Sequence, residues 1–293
     1  MNQYLLAVLL GVVEGLTEFL PVSSTAHLRI VEALVGLDLA DPYWKTFSIV
    51  IQLGAILCLP IYFRYRLLDF ALTFPRGARH DRTVVTHPLT LTLMAFVVTA
   101  GPAFLLTKVI GKNLESLVVM GLALVIGGVV MWAVDAYYEV RLDMVYARQT
   151  MTDDMEKMSV GQAVWIGACQ VLSAVFPGTS RSMATITAGE LAGMSRAAAL
   201  EFSFFLSMPT MAAATLYDLL KSLRAPGGEA SAIGAMPHTA QAWLVLAIGF
   251  VVSFVVAYGV VVWFMAWVRT RGFAPFAIYR IVVGAAVLWW AAR

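Results

Sequence analysis

Two carboxylates, three consecutive hydroxyls and an imidazole fall between Glu14 and His27, in the stretch EGLTEFLPVSSTAH of an otherwise apolar chain. Glu14 and Glu18 are four residues apart, so on a helix they share one face, with Thr17 beside them. Two carboxylates one turn apart repel each other in a low dielectric. One must then carry a proton, unless a cation sits between or beside them. A guanidinium or a divalent metal would serve, and hard oxygen ligands such as Glu14 and Glu18 favour Mg2+ or Ca2+, which would also clamp an anionic substrate. His27 follows the hydroxyl run closely and is a candidate nucleophile or general base.

A second stretch, PGTSRS from Pro177 to Ser182, has the chemistry of an anion site. Gly178 lets the backbone approach a ligand, the hydroxyls of Thr179, Ser180 and Ser182 surround it, and a following helix start would present free amides. Arg181 adds a planar fork suited to phosphate. The spacing is not that of a Walker A loop.

The two stretches are related. Matching residues 10–27 with 166–183 pairs Gly11 with Gly167, Glu14 with Gln170, Leu16 with Leu172, Pro21 with Pro177 and Ser24 with Ser180. A weaker echo follows each copy, Phe47, Ser48 and Gln52 in the first and Phe202, Ser203 and Ser207 in the second. The chain therefore reads as an internal duplication, with repeats at about 3–134 and 160–291 joined by a linker at 135–159, in a single integral membrane domain spanning 1–293.

The setting of both stretches is lipid. Sixty per cent of the residues are hydrophobic and 13% are charged, and the mean hydropathy is +0.81. These values fit an all-α polytopic membrane protein and exclude a soluble enzyme. The net charge of +2 says little about partners, and no nucleic-acid partner is expected. Cys58 and Cys169 lie in separate apolar runs and read as small buried hydrophobes. No basic segment precedes the apolar run from Tyr4 to Val13, so a cleaved leader is not expected.

Proline ends the helix before each polar stretch, at Pro21 and Pro177, and the serines and threonines that follow suit N-caps. Residues 3–20 and 24–36 are each too short to cross a bilayer and read as a re-entrant hairpin, as do 160–193. Six longer runs, at about 44–63, 88–108, 114–134, 196–217, 241–267 and 274–291, read as transmembrane helices. Arg64, Arg66, Arg76, Arg79 and Arg82 fall in a loop at 64–87, read as a topology signal. With both hairpins returning, ten lysines and arginines fall on one side of the membrane and five on the other, making the first side cytoplasmic. The repeats are then inverted, and their polar breaks can meet near the midplane. Glu32, Gln52, Glu190 and Glu201 are expected to brace the hairpins or to pair with Arg29 and Arg196. The run at 225–240 is read as an external loop.

EGLTEFLPVSSTAH and PGTSRSMATI, together with QLGAI at 52–56 and EFSFFLSMP at 201–209, resemble the signature regions of the bacterial undecaprenyl-diphosphate phosphatases of the bacitracin-resistance type. The resemblance runs the whole length of the chain. It implies a metal-dependent hydrolase of the bacterial inner membrane, with its pocket facing the periplasm. Such an enzyme converts undecaprenyl diphosphate to the monophosphate that carries cell-wall precursors. Residue by residue, it implies that Glu14 and Glu18 support metal and catalysis, that Ser24 and His27 are the candidates for nucleophile and base, and that Ser180 and Arg181 bind the diphosphate. Ser23, Thr25, Gly178, Thr179, Ser182 and Thr185 lie in the same two motifs and complete the expected binding set. The chain departs from the family pattern at Ala26 and Met183, where glycine is usual. Met183 would set a long side chain beside the diphosphate loop.

Two functions fit this reading. In one, metal and Arg181 neutralise a prenyl diphosphate while Ser24 or His27 attacks or activates water. In the other, the inverted broken helices move an anionic prenyl lipid across the membrane, as in transporters. Membrane lipids are the expected surroundings in both, and both leave room for a homodimer.

Overall fold

Helix starts and stops in this chain are written by short capping residues and prolines. The computed structural model describes residues 2–38, 41–78, 80–106, 116–142, 150–224 and 239–292. Arg79, the turn holding Gly111 and Lys112, Asp143, Arg148 and the 225–238 part of the external loop lie outside them.

Asn2 opens α1 (Gln3–Thr17) by accepting the Tyr4 amide at 2.9 Å. The chain then turns through Pro21 into α2 (Ser24–Leu34), capped by Ser23. Asp41 caps α3 (Pro42–Tyr62), with Pro42 in the first turn where its missing amide costs nothing. There follow α4 (Arg64–Thr73), α5 (Pro88–Leu105) and α6 (Leu117–Leu142). The second half repeats the plan. A reciprocal Ser159 and Gln162 capping box starts α7 (Val160–Val175), the chain breaks at Pro177, and Ser180 caps α8 (Arg181–Leu191). Then come α9 (Arg196–Arg224), α10 (Ala240–Trp267) and α11 (Ala274–Ala291). The described residues contain no strand, only one isolated bridge between Thr152 and Met194.

Six helices, α3, α5, α6, α9, α10 and α11, are long and apolar enough to cross a membrane. By contrast α1 has 15 residues, about 22 Å at the helical rise, short of the roughly 30 Å hydrocarbon core. With 16 residues, α7 is short in the same way.

The halves grip each other reciprocally. α1 packs on α10 of the second half, while α7 packs on α5 of the first, and α6 pairs with α11. Glycines make the close approaches possible. A Cβ on Gly11 would lie 2.8 Å from the Gly249 carbonyl, and one on its repeat partner Gly167 would lie 2.5 Å from that of Ala95. Such an exchange of equivalent contacts is what a two-fold relation between halves requires.

Three segments differ from the sequence reading, one of them α9, expected to end near 217 and running to Arg224. The arginine-rich loop contains α4, because Phe70 is buried there beneath Arg66, whose guanidinium lies 5.1 Å from its ring centroid. Arg66 also donates to Asp154, Glu156 and Glu201 at 2.7, 2.9 and 2.8 Å, so it ties α4 to the linker and to α9. Helix α6, expected to end near Val134, runs on to Leu142. Its continuation is held because buried Asp135 accepts the Phe273 and Ala274 amides at the start of α11, at 3.0 and 2.9 Å.

Candidate active site

The two polar breaks meet. Ser182 Oγ of the second donates to the Leu20 carbonyl of the first at 2.9 Å. Arg181 Nη2, in the first turn of α8, donates to Glu18 Oε1 at 2.9 Å, with both side chains largely buried. On the other oxygen, Glu18 Oε2 accepts from Ser24 Oγ at 2.5 Å. One carboxylate thus joins a hydroxyl, from its own hairpin, to a guanidinium from the other.

Each break turns on a serine in the left-handed region, Ser23 at φ 75° and Ser180 at φ 69°. Both cap their helix, Ser23 accepting the Ala26 amide at 3.5 Å and Ser180 that of Met183 at 3.3 Å. The caps therefore equate Ser23 with Ser180, one residue away from the match of Ser24 with Ser180 suggested by the sequence. Thr179 is the extra residue in the second break. In this register Ser24 and Arg181 occupy equivalent first-turn positions, and both reach Glu18.

A polar cavity of about 230 Å³ lies where the breaks meet. Of the residues expected to act here, Glu18, Ser23, Ser24, Thr25, Gly178, Ser180 and Arg181 line it. Gln52, Thr99, Gln170, Ser173 and Thr210 complete its polar wall, and of these only Gln52 and Gln170 had been singled out, Gln170 as the repeat match of Glu14. Gln170, the repeat counterpart of Glu14, donates to Thr99 and Thr210 at 3.3 and 3.2 Å. The first half thus brings the acids and the second answers with a neutral amide and a cation.

The remaining expected residues stand behind or beside the cavity. Thr185 is fully buried against Ser203, with their hydroxyls 2.7 Å apart. Thr179 faces a separate groove. His27 is held through Nδ1 to the Ser23 carbonyl at 2.7 Å and through Nε2 to the Tyr279 hydroxyl at 2.8 Å, its ring stacked on that of Tyr279. Because a carbonyl only accepts, Nδ1 carries a proton, and in the neutral ring Nε2 accepts from Tyr279. Met183 turns away from the polar cavity into the apolar groove, so its backbone amide caps normally and its side chain leaves the loop clear.

Glu14 is fully buried one turn before Glu18, and both its oxygens lack a hydrogen-bond partner. Such an orphaned acid calls for a proton or a cation. Among the described residues no group of three or more His, Cys, Asp or Glu side chains is gathered as a closed metal site. Two carboxylates with neighbouring hydroxyls fit Mg2+, which commonly takes one or two protein carboxylates and completes its shell with phosphate and water.

Beside the loop lies an apolar groove of about 600 Å³ between α6, α7 and α8, lined by residues such as Ile126, Phe176 and Ala184. It and the polar cavity flank the same turn, Phe176 and Thr179 facing one, Gly178 and Ser180 the other.

Besides Thr99, Ser173 and Thr210 of the cavity wall and Tyr279 at His27, one charged residue of this centre escaped the sequence reading. Arg280, in the apolar run of α11, is fully buried and donates to the carbonyls of Pro21, Ala123, Gly178 and Thr179 at 2.9–3.1 Å. The available signal was its solitude, a single charge within an apolar span.

Comparison with known proteins agrees over the full length. Residues 7–286 match the family described as bacitracin resistance protein BacA. The chain is 68% identical over 293 residues to the undecaprenyl-diphosphatase of Koribacter versatilis, covering 100% of both. It is 41% identical over 280 residues to undecaprenyl-diphosphatase 2 of Paramagnetospirillum magneticum, 95% of each chain. With the undecaprenyl-diphosphatase of Thermus thermophilus the identity is 40% over 282 residues, 95% of this chain and 94% of the relative.

Proposed function

Because the chain belongs to the bacitracin resistance protein BacA family, we propose that it hydrolyses undecaprenyl diphosphate to undecaprenyl phosphate and inorganic phosphate. The observation that carries the mechanism is Glu18 held between Ser24 and Arg181. The transporter reading is not favoured. The relatives are named as diphosphatases, and transport does not need a hydroxyl paired with a carboxylate.

Arg181 is the element that substrate displaces. In the free protein its charge is satisfied by Glu18. An incoming diphosphate, with more charge and more acceptor oxygens, draws the guanidinium to itself. Glu18, relieved of its partner, becomes basic enough to take the Ser24 proton. Ser24 Oγ then attacks the terminal phosphorus, and the bond to the bridging oxygen breaks with its electron pair leaving on the prenyl monophosphate. Water then attacks the phosphorus of the phosphoserine, the P–Oγ bond breaks, Glu18 returns its proton to Ser24 Oγ, and the water's atoms leave with the phosphate as dihydrogen phosphate. Charge stabilisation by Arg181 and by the amides at the start of α8 carries most of the acceleration.

Glu14 and Glu18 were both expected at a divalent cation, most simply Mg2+; with the Glu18 oxygens taken by Ser24 and Arg181, Glu14 is the residue proposed to hold it. When bound, such a cation neutralises diphosphate charge and favours departure of the leaving oxygen. The prenyl chain is assigned to the apolar groove beside the loop, which is open along the outer face of α6 and α7. His27, one turn after Ser23 on the helix that carries Ser24, is assigned to holding that helix start in place through its bonds to Ser23 and Tyr279.

The reading includes inverted hairpins within six spans and a site facing the periplasm of the inner membrane, where the enzyme would recycle the carrier for cell-wall synthesis and confer bacitracin resistance. The reciprocal packing of α1 on α10 and α7 on α5 supports the inversion. Phosphate release from purified protein supplied with undecaprenyl diphosphate and Mg2+ tests the proposal, and absence of release by wild type would refute it.

A further inference from the structure

A charge buried in an apolar span normally finds a counter-charge. Arg280 does not. All four of its hydrogen bonds go to backbone carbonyls, and its Nε is buried without any partner. The carbonyls come from three places: Pro21 in the first break, Gly178 and Thr179 in the second, and Ala123 in α6. A purely structural clamp between the hairpins does not require a full charge, and a neutral donor would hold a carbonyl without the desolvation cost.

What the clamp does follows from the planarity of the peptide bond, in which the carbonyl and the next residue's N–H point to opposite sides. With the Thr179 carbonyl drawn to Arg280 at 2.9 Å, the Ser180 N–H must face away from it. Ser180 lines the polar cavity, and its amide makes no hydrogen bond to the described residues. Ser180, which supplies this amide, stands at φ 69°, and Gly178, two residues earlier, at φ 96°.

We propose that Arg280 is a positioning residue for the diphosphate. It pulls the carbonyls of the second break to the rear so that the Ser180 amide is presented to the substrate, and its uncompensated charge raises the affinity of the cavity for an anion. Gly127 belongs to the same device, since a Cβ there would stand 2.4 Å from Arg280 Nη2. The proposal rests on the hydrolase reading.

The test uses full-length protein in detergent, with inorganic pyrophosphate as the headgroup probe. Arg280→Lys, Arg280→Met and Gly127→Ala are compared with wild type for thermal midpoint, for kcat and KM on undecaprenyl diphosphate, and for pyrophosphate inhibition. A 15N label on serine follows the Ser180 amide. In wild type the Ser180 resonance shifts on pyrophosphate addition. In folded Arg280→Lys and Gly127→Ala that shift is lost, and the inhibition constant rises about tenfold or more in step with KM. Should Arg280→Met fail to fold, these two variants still decide the matter. Wild-type pyrophosphate affinity and an unchanged Ser180 shift in either would overturn the proposal, as would activity lost only in proportion to folded protein. If wild type releases no phosphate from undecaprenyl diphosphate, the hydrolase reading fails instead, and the pyrophosphate titration still judges Arg280 as an anion-site residue.

Discussion

Glu18 and Arg181, separated by 163 residues, meet at 2.9 Å. The pair has two consequences. It holds the two broken hairpins against each other, and it sets a guanidinium on a carboxylate that also accepts from Ser24, the arrangement on which the proposed mechanism rests.

Replacing Arg181 by Ala should lower phosphate release about 10²–10³-fold, the usual cost of removing one preorganised charge-stabilising group. Arg181→Lys should recover little of it, because lysine restores charge but not the fork that can hold a phosphate with two parallel bonds. Single-turnover assays on folded, size-homogeneous protein check this. Full activity in the lysine variant would show that charge alone is needed.

If Ser24 is the nucleophile, rapid acid quenching of enzyme with substrate labelled in the terminal phosphate should trap acid-stable phosphoserine, absent from Ser24→Ala. A label that is acid-labile and disappears in His27→Ala would transfer the nucleophile's role to the imidazole and leave Ser24 as a binding group.

Glu14 has two buried, unpartnered oxygens. Chelation with EDTA should abolish turnover, and Glu14→Gln should raise the Mg2+ concentration for half-maximal activity by about 10–100-fold, as loss of a group supporting a metal does. The titration of activity against Mg2+ is the measurement. An unchanged half-point would remove Glu14 from the cation site.

Ala184 lines the apolar groove. An Ala184→Trp variant should raise KM for undecaprenyl diphosphate while leaving that for farnesyl diphosphate nearly unchanged, because only the longer tail fills the groove. Equal effects on both substrates would place the tail elsewhere.

His87, just before α5, is buried against Phe70 and Phe74, and its Nδ1 accepts the Leu89 amide at 3.3 Å. Burial lowers its proton affinity below the ordinary imidazole value of 6.5. The unfolded chain therefore binds the proton first as pH falls, so this contribution to stability is present above pH about 6.5 and is lost on acidification below it. His87→Ser keeps a capping oxygen without the titration, so the thermal midpoint of that variant should depend less on pH between about 7 and 5.

The chain's spacing of residues determined much. Prolines at 21 and 177 with serines after them are local signals, and local sterics and capping suffice to set two broken helices. Six long apolar runs needed only length and composition, because lipid admits little else than helix. The Glu, Ser and Arg motifs were legible because charges are rare in such runs. Tertiary structure alone decided the rest. The one-residue shift that equates Ser23 with Ser180 depends on left-handed backbone at both serines, which no spacing reveals. His27 was drawn to Tyr279 and Met183 to the apolar groove by partners far along the chain. Arg280 is the clearest instance. Its sequence neighbours are apolar, and its role exists only because folding gathers four carbonyls from three separate segments around one guanidinium.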